Sequence, residues 1–181
     1  MARLIVCLAG MPGAGKSTIA RGLASLGYDS VNMGDAVRAE AARRGLEPTR
    51  ENLGGLMLEL RRRDGPGAVA RLVGPSIEDS GPVVIVDGIR SIEEVRAMEE
   101  FGTVRLLAVH ASSEARFSFL QERGRPDDPR TRGHFEERDG RELGVGISDP
   151  IALADASISN SGITRGELID AAHGLVRGWA A

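Results

Sequence analysis

Residues 10–18 read GMPGAGKST, and the reading of this stretch decides the fold. It matches G-x-x-x-x-G-K-[ST], from Gly10 to Ser17, a spacing with a physical basis. Glycines let the chain curl so that successive backbone N–H groups point inward at phosphate oxygens. A helix that follows adds its positive N-terminus to the same anion. Lysine reaches the terminal phosphates as a compact point charge, and the next hydroxyl ligates a divalent cation. The lysine is also singular: Lys16 is the only lysine in the chain, against 22 arginines. Arginine's planar fork does not replace a compact ammonium inside a small cradle.

The surroundings agree with the motif. Arg3–Ala9 before it is a continuous apolar run, the pattern of a strand buried on both faces. Ser17–Leu26 after it is compatible with a helix. Farther on, Pro82–Val86 repeats the buried-strand pattern as VVIV and ends on Asp87. A buried strand that delivers one carboxylate beside a phosphate loop suits a magnesium site, so Ser17 and Asp87 are the expected metal residues. Gly10, Met11, Pro12, Gly13, Ala14, Gly15, Lys16, Ser17 and Thr18 are the expected nucleotide-binding residues.

The rest of the chain alternates in the same way. Asp29–Met33 is a short strand, and a helix is expected from Gly34 to about Arg44. Glu51–Arg63 carries Leu53, Leu56, Met57 and Leu60 on one stripe, with three arginines closing it where cations suit the helix dipole. Gly67–Asp79 is a weaker helix, expected to break near Pro75. Ser91 and Glu94 form a candidate capping box. Val104–Val109 is a strand, Ser113–Glu122 a helix, Phe135–Leu143 a short helix and Asp155–Asn160 a last strand. Thr164 and Glu167 cap a final helix that turns Leu168, Ala172, Leu175 and Trp179 inward. Strands alternating with helices predict an α/β fold: a three-layer phosphate-loop architecture with about five parallel strands and helices on both faces. Ligands bind such sheets at the strands' C-terminal ends.

Composition excludes several function classes. The net charge is −3, so no global basic field favours nucleic acid or a membrane surface. No apolar stretch approaches the ~20 residues of a membrane span. Cys7 is the lone cysteine, inside LIVCLA, and the three histidines lack metal-ligand spacing. A cytoplasmic chain acting on a small molecule, as a monomer or small homo-oligomer, is the expectation. No Asn-Lys-x-Asp occurs, which excludes the GTPase pattern. From Arg116 to Arg141 seven arginines alternate with six acids. That stretch reads either as a salt-bridged surface or as a lid whose arginines close over phosphates.

Three stretches beyond these general features resemble the P-loop nucleoside monophosphate kinases of the adenylate kinase type. They are GMPGAGKST itself, MGDAVRAE at 33–40, and ERGRPDD with the later FEERD. DGIR at 87–90 is similar to that family's Asp-Gly-x-Pro-Arg, one residue shorter and without the proline. DGIRSIEEV, the GRPDDP–RD–REL run and ALADASISN look like an archaeal group of adenylate-kinase-related proteins. The resemblance spans about residues 3 to 178. It implies ATP and Mg²⁺ as cofactors and a small phosphate-bearing acceptor as the other substrate. It also implies a core of 1–33, 82–122 and 143–181, acceptor-binding helices at 34–81 and a lid at 123–142.

The implied roles follow residue by residue. Arg38 and Arg90 hold the acceptor phosphate. Arg123 and Arg125 meet the ATP phosphates from the lid, Arg138 joins at the transfer centre beside Lys16, and Asp127 and Asp128 hold the lid closed. Asp35 lies at the acceptor site and is expected to cap its helix. Glu94 stands where adenylate kinases place a glutamine that reads adenine. A carboxylate only accepts hydrogen bonds, so Glu94 either meets an N–H donor of the acceptor or serves as the capping-box acid. Two other activities remain open: a kinase of the dephospho-coenzyme A type, with Asp35 as base for a hydroxyl, and a regulatory protein that hydrolyses ATP slowly.

Overall fold

Every residue of Leu4–Ala9 (β1) is buried, because this strand lies at the centre of the sheet and both of its faces are covered. The computed structural model describes residues 3–124 and 128–181. Among them five strands pair in the order β2-β3-β1-β4-β5, all parallel, with β2 at Asp29–Asn32, β3 at Val83–Asp87, β4 at Thr103–His110 and β5 at Ala156–Ser159.

Side chains alternate across a strand, and β1 divides its residues accordingly. Ile5, Cys7 and Ala9 join one apolar cluster. Leu4, Val6 and Leu8 join the other. The second cluster is covered by Lys16–Ser25 (α1) and, at the end of the chain, Arg165–Ala180 (α10). Gly22 lets these two helices close on each other, since a Cβ there would stand 2.5 Å from Ile169. The first cluster is covered by the helices between β2 and β3, namely Met33–Arg43 (α2), Arg50–Asp64 (α3), Ala68–Arg71 (α4) and Gly74–Glu78 (α5), together with Ile92–Met98 (α6). Ser113–Arg123 (α7), Arg132–Val145 (α8) and Ser148–Ala152 (α9) lie between β4 and β5. Three layers with a five-stranded parallel core match the expected fold class.

The Gly67–Asp79 segment is broken near Pro75 as expected, into two short helices. Proline lacks an N–H and suits a helix's first turn, where Pro75 sits in α5. Several elements differ from the expectation. Helix α8 starts at Arg132, ahead of the expected Phe135, because Thr131 caps it. Helix α9 carries Asp149-Pro150 in its first turn and was not foreseen. Asp35 does not cap α2: the Asn32 side chain does, accepting from the Asp35 backbone N–H at 3.1 Å. Asp35 instead occupies the first turn, where an acid also suits the dipole. The capping box of Thr164 and Glu167 is present as expected. Among the described residues no helix is long and apolar enough to cross a membrane.

Candidate functional site

The phosphate loop leaves the C-terminal end of β1 at Gly10 and enters α1 at Lys16. Glycine is required at three of its positions. Gly10 has φ +153° and an added Cβ would stand 2.3 Å from the Val109 carbonyl oxygen. Gly13 has φ +82° and an added Cβ would stand 2.7 Å from the Arg116 carbonyl; Gly15 has φ +111° and a Cβ would stand 2.6 Å from Asn160 Nδ2. The loop is therefore clasped between α7 and the segment after β5. Asn160 donates to the Ala14 carbonyl at 3.0 Å, and Arg116 donates to the Pro12 carbonyl at 3.1 Å.

Lys16 turns back into the loop. Its Nζ donates to the carbonyls of Gly10 at 2.5 Å and Met11 at 3.2 Å. Burial pushes its pKa down from 10.5 to about 8, partly opposed by the carboxylates of Asp87 and Glu142 and reinforced by Arg90 and Arg138. Five charged side chains from three stretches of the chain, the phosphate loop, the 87–90 turn and α8, thus act on one another at the C-terminal edge of the sheet.

Ser17 Oγ donates to Asp87 Oδ2 at 2.8 Å, and Asn32 Nδ2 donates to the same oxygen at 3.2 Å. Asp87 is buried at 4% exposure. Strand pairing explains the meeting: β3 runs beside β1 with Asp87 opposite Leu8, and β2 runs beside β3 with Asn32 opposite Asp87. A hydroxyl and a carboxylate beside a phosphate cradle fit magnesium, which takes oxygen donors and binds through one or two carboxylates plus substrate phosphates. Among the described residues no cluster of three or more His, Cys, Asp or Glu offers a metal a complete protein cage.

The arginines fall into separate groups. Arg90, at the end of the turn after β3, points its Nε toward Glu142 Oε2 at 3.5 Å. Arg123 and Arg138 both pair with Asp128, Arg138 at 3.2 Å, so α7 and α8 share one carboxylate. Arg125 and Asp127 lie outside the described residues. Arg38 is exposed and paired with Asp35 one turn back on α2. Glu94 is fully buried. Its Oε1 accepts from Arg61 at 2.8 Å and its Oε2 from the Arg90 backbone N–H at 2.8 Å. The Ser91 hydroxyl does accept from the Glu94 N–H, as a capping box requires, but Glu94 reaches one residue past the cap to Arg90.

Sequence reasoning missed Arg116, Asp139 and Glu142. Arg116 is buried, holds Asp139 through two bonds of 2.9 and 2.5 Å, and lies 4.8 Å over the Phe135 ring. A signal existed: Phe135, Arg138, Asp139 and Glu142 are spaced i, i+3, i+4 and i+7, one face of a helix.

Comparison with known proteins gives the kinship and the fold. Residues 9–134 match the family model described as "AAA domain". A UPF0200 protein of Hyperthermus butylicus is 46% identical over 159 residues, 87% of this chain and 86% of that one. Among solved structures, TT1252 from Thermus thermophilus superposes with a TM-score of 0.68 at 19% identity, covering 100% of both chains. Shikimate kinase from Acinetobacter baumannii superposes with a TM-score of 0.57 at 15% identity, covering 99% of this chain and 93% of that one. The superpositions carry the fold, one shared with TT1252 and shikimate kinase, and the sequence identity carries the kinship: the chain belongs to the UPF0200 family.

Proposed function

We propose that this protein is an ATP- and magnesium-dependent small-molecule kinase that transfers the γ-phosphoryl group to the phosphate of a nucleoside monophosphate-like acceptor. The observation that carries the reading is the convergence on one phosphate cradle of Lys16, the Ser17–Asp87 pair, Arg90 and Arg138. Phosphoryl transfer asks a protein mainly for positioning and charge neutralisation, and these groups supply both.

In this reading the loop amides and Lys16 hold the ATP phosphates, Lys16 exchanging the Gly10 and Met11 carbonyls for phosphate oxygens. Ser17 and Asp87 hold the magnesium ion, which would neutralise charge on the terminal phosphates. Arg38 and Arg90 take the acceptor phosphate. Arg123 and Arg138, joined through Asp128, bring α7 and α8 toward the transferring group, and Arg125 belongs to the same segment. The bond between the γ-phosphorus and its bridging oxygen breaks, the electron pair leaves with ADP, and an acceptor phosphate oxygen forms the new bond. That oxygen is already ionised near neutral pH, so no general base is needed. Asp35, paired to Arg38, then orients the arginine and takes no proton.

The test is a panel of nucleoside monophosphates and dephospho-coenzyme A, each with ATP and Mg²⁺, assayed for ADP against a control lacking acceptor. Fast turnover with one monophosphate supports the kinase. Fast turnover with dephospho-coenzyme A alone replaces it with a hydroxyl kinase. Equal slow ADP release in every well, control included, replaces it with a slow ATPase.

A further inference from the structure

The carboxylate of Glu94 lies at 0% exposure inside the layer of helices, and three elements meet on it. Arg61 reaches it from α3 at 2.8 Å, the Arg90 backbone N–H reaches it from the turn after β3 at 2.8 Å, and its own α6 carries it. A buried carboxylate must be paired, and both of its oxygens are. What it holds is a short turn with much of the site on it. The turn begins at Asp87, which meets Ser17, and ends at Arg90, whose guanidinium faces Glu142 and acts electrostatically on Lys16. Between them Gly88 has φ +112° and a Cβ there would stand 3.2 Å from the Met33 side chain, so the turn also rests on the start of α2.

We infer that Glu94 is a positioning residue that locks the Arg90 turn to helix α3 through Arg61, and that the acceptor's base is not read at this position. The inference rests on the kinase reading for its effect on turnover. A base reader must present a free polar atom to the substrate space; Glu94 presents none, since it is buried and each oxygen is engaged. Arg61 and the Arg90 N–H take different oxygens of the one carboxylate, so a shift of α3 is transmitted to the backbone that aims Arg90. Arg61 is the accessible end of the link, its side chain 21% exposed.

The experiment compares the whole protein with Arg61→Gln, Glu94→Gln and the double variant. Three readouts apply: melting temperature, hydrogen exchange of the 87–91 backbone in the free protein, and kcat and KM for ATP and for each monophosphate of the panel. Both single variants are expected to exchange faster in the 87–91 turn, at least threefold. Each is expected to lose kcat at least tenfold with ATP KM unchanged. The double variant should lose little more than either single one, and the rank order of acceptors should stay that of the unsubstituted protein. A changed order of acceptors in Glu94→Gln would make the residue a base reader and overturn the inference. So would unchanged exchange and kcat in a folded Arg61→Gln, which tests the link even where Glu94→Gln does not fold. If the unsubstituted protein shows no acceptor-dependent turnover, the kinase reading alone fails, and the exchange measurement still decides whether Arg61 and Glu94 hold the turn.

Discussion

The hydroxyl of Ser17 and the carboxylate of Asp87 lie 2.8 Å apart, one at the start of α1 and the other at the end of β3. Strand β3, paired to β1, delivers the carboxylate, and the loop that leaves β1 carries the hydroxyl into α1. Asp87→Asn keeps the shape and an oxygen for Ser17 but removes the charge. The magnesium concentration for half-maximal activity should rise roughly 10–100-fold, with the fold kept. A magnesium titration of ADP formation checks this, with circular dichroism as the folding control. An unshifted curve would remove Asp87 from the metal site.

Lys16→Arg keeps the positive charge and changes its shape. The planar fork cannot donate into the tight space between the Gly10 and Met11 carbonyls as the ammonium does. Transfer should fall by roughly 100-fold or more, in line with the loss of a preorganised charge donor. Near-normal turnover in this variant would sink the cradle reading.

The pKa of Lys16 gives a pH signature with two opposite slopes. Burial holds it at about 8 against 10.5 for the free side chain. The unfolded chain therefore binds the extra proton between those values, and stability rises with pH across that window as the folded ammonium loses its proton. Nucleotide binding runs the other way. Phosphate attracts the charged form and raises its pKa, so affinity is flat well below pH 8 and falls above it, approaching about tenfold per unit. Isothermal titration with an ATP analogue across pH 6.5 to 9.5 reads the second slope, and Lys16→Ala should abolish it. Affinity independent of pH up to 9.5 would count against the placement of Lys16 on phosphate.

How legible all this was depends on distance along the chain. The phosphate loop and its flanking strand and helix were readable because the glycine spacing and the apolar run of β1 are local. Asp87 was readable because a buried strand ending in one acid is also a local pattern. The partners that complete the site were not. Asn32 meets Asp87 across 55 residues, Arg61 meets Glu94 across 33, and Asn160 meets Ala14 across 146. Nothing local in a charged helix face says which opposite charge it will find. Glu94 shows the limit best: its spacing from Ser91 announced a capping box, and half of one forms. The carboxylate is drawn to Arg61 and the Arg90 N–H instead, because burial demands a cationic partner.

Arg38→Ala tests the acceptor side. Arg38 is exposed in the middle of α2 and, among the described residues, pairs with Asp35 of its own helix, so its loss should barely touch stability. Acceptor KM should rise by about tenfold or more, as expected for a charge-assisted bond to phosphate, while ATP KM stays nearly unchanged. An equal rise in both would move Arg38 out of the acceptor site.

Arg116→Met removes the clasp between the loop and α8. Arg116 is 6% exposed and bonds Pro12 and Asp139 at once, over the Phe135 ring. Methionine fills the stem's volume but leaves the Asp139 carboxylate, partly buried at 17% side-chain exposure, without its fork. Breaking a buried pair costs about 3–5 kcal/mol, and this half-sheltered one should cost about 2–3. For a chain of this size that lowers the melting temperature by roughly 4–12 °C. The double variant Arg116→Met with Asp139→Leu should regain part of the loss, because no charge is then stranded. ATP affinity should stay reduced in both, since the Pro12 carbonyl has lost its brace in each. Scanning calorimetry separates the two effects from nucleotide titration: recovery of affinity together with stability in the double variant would mean that Arg116 serves the packing of α8 and not the shape of the phosphate loop.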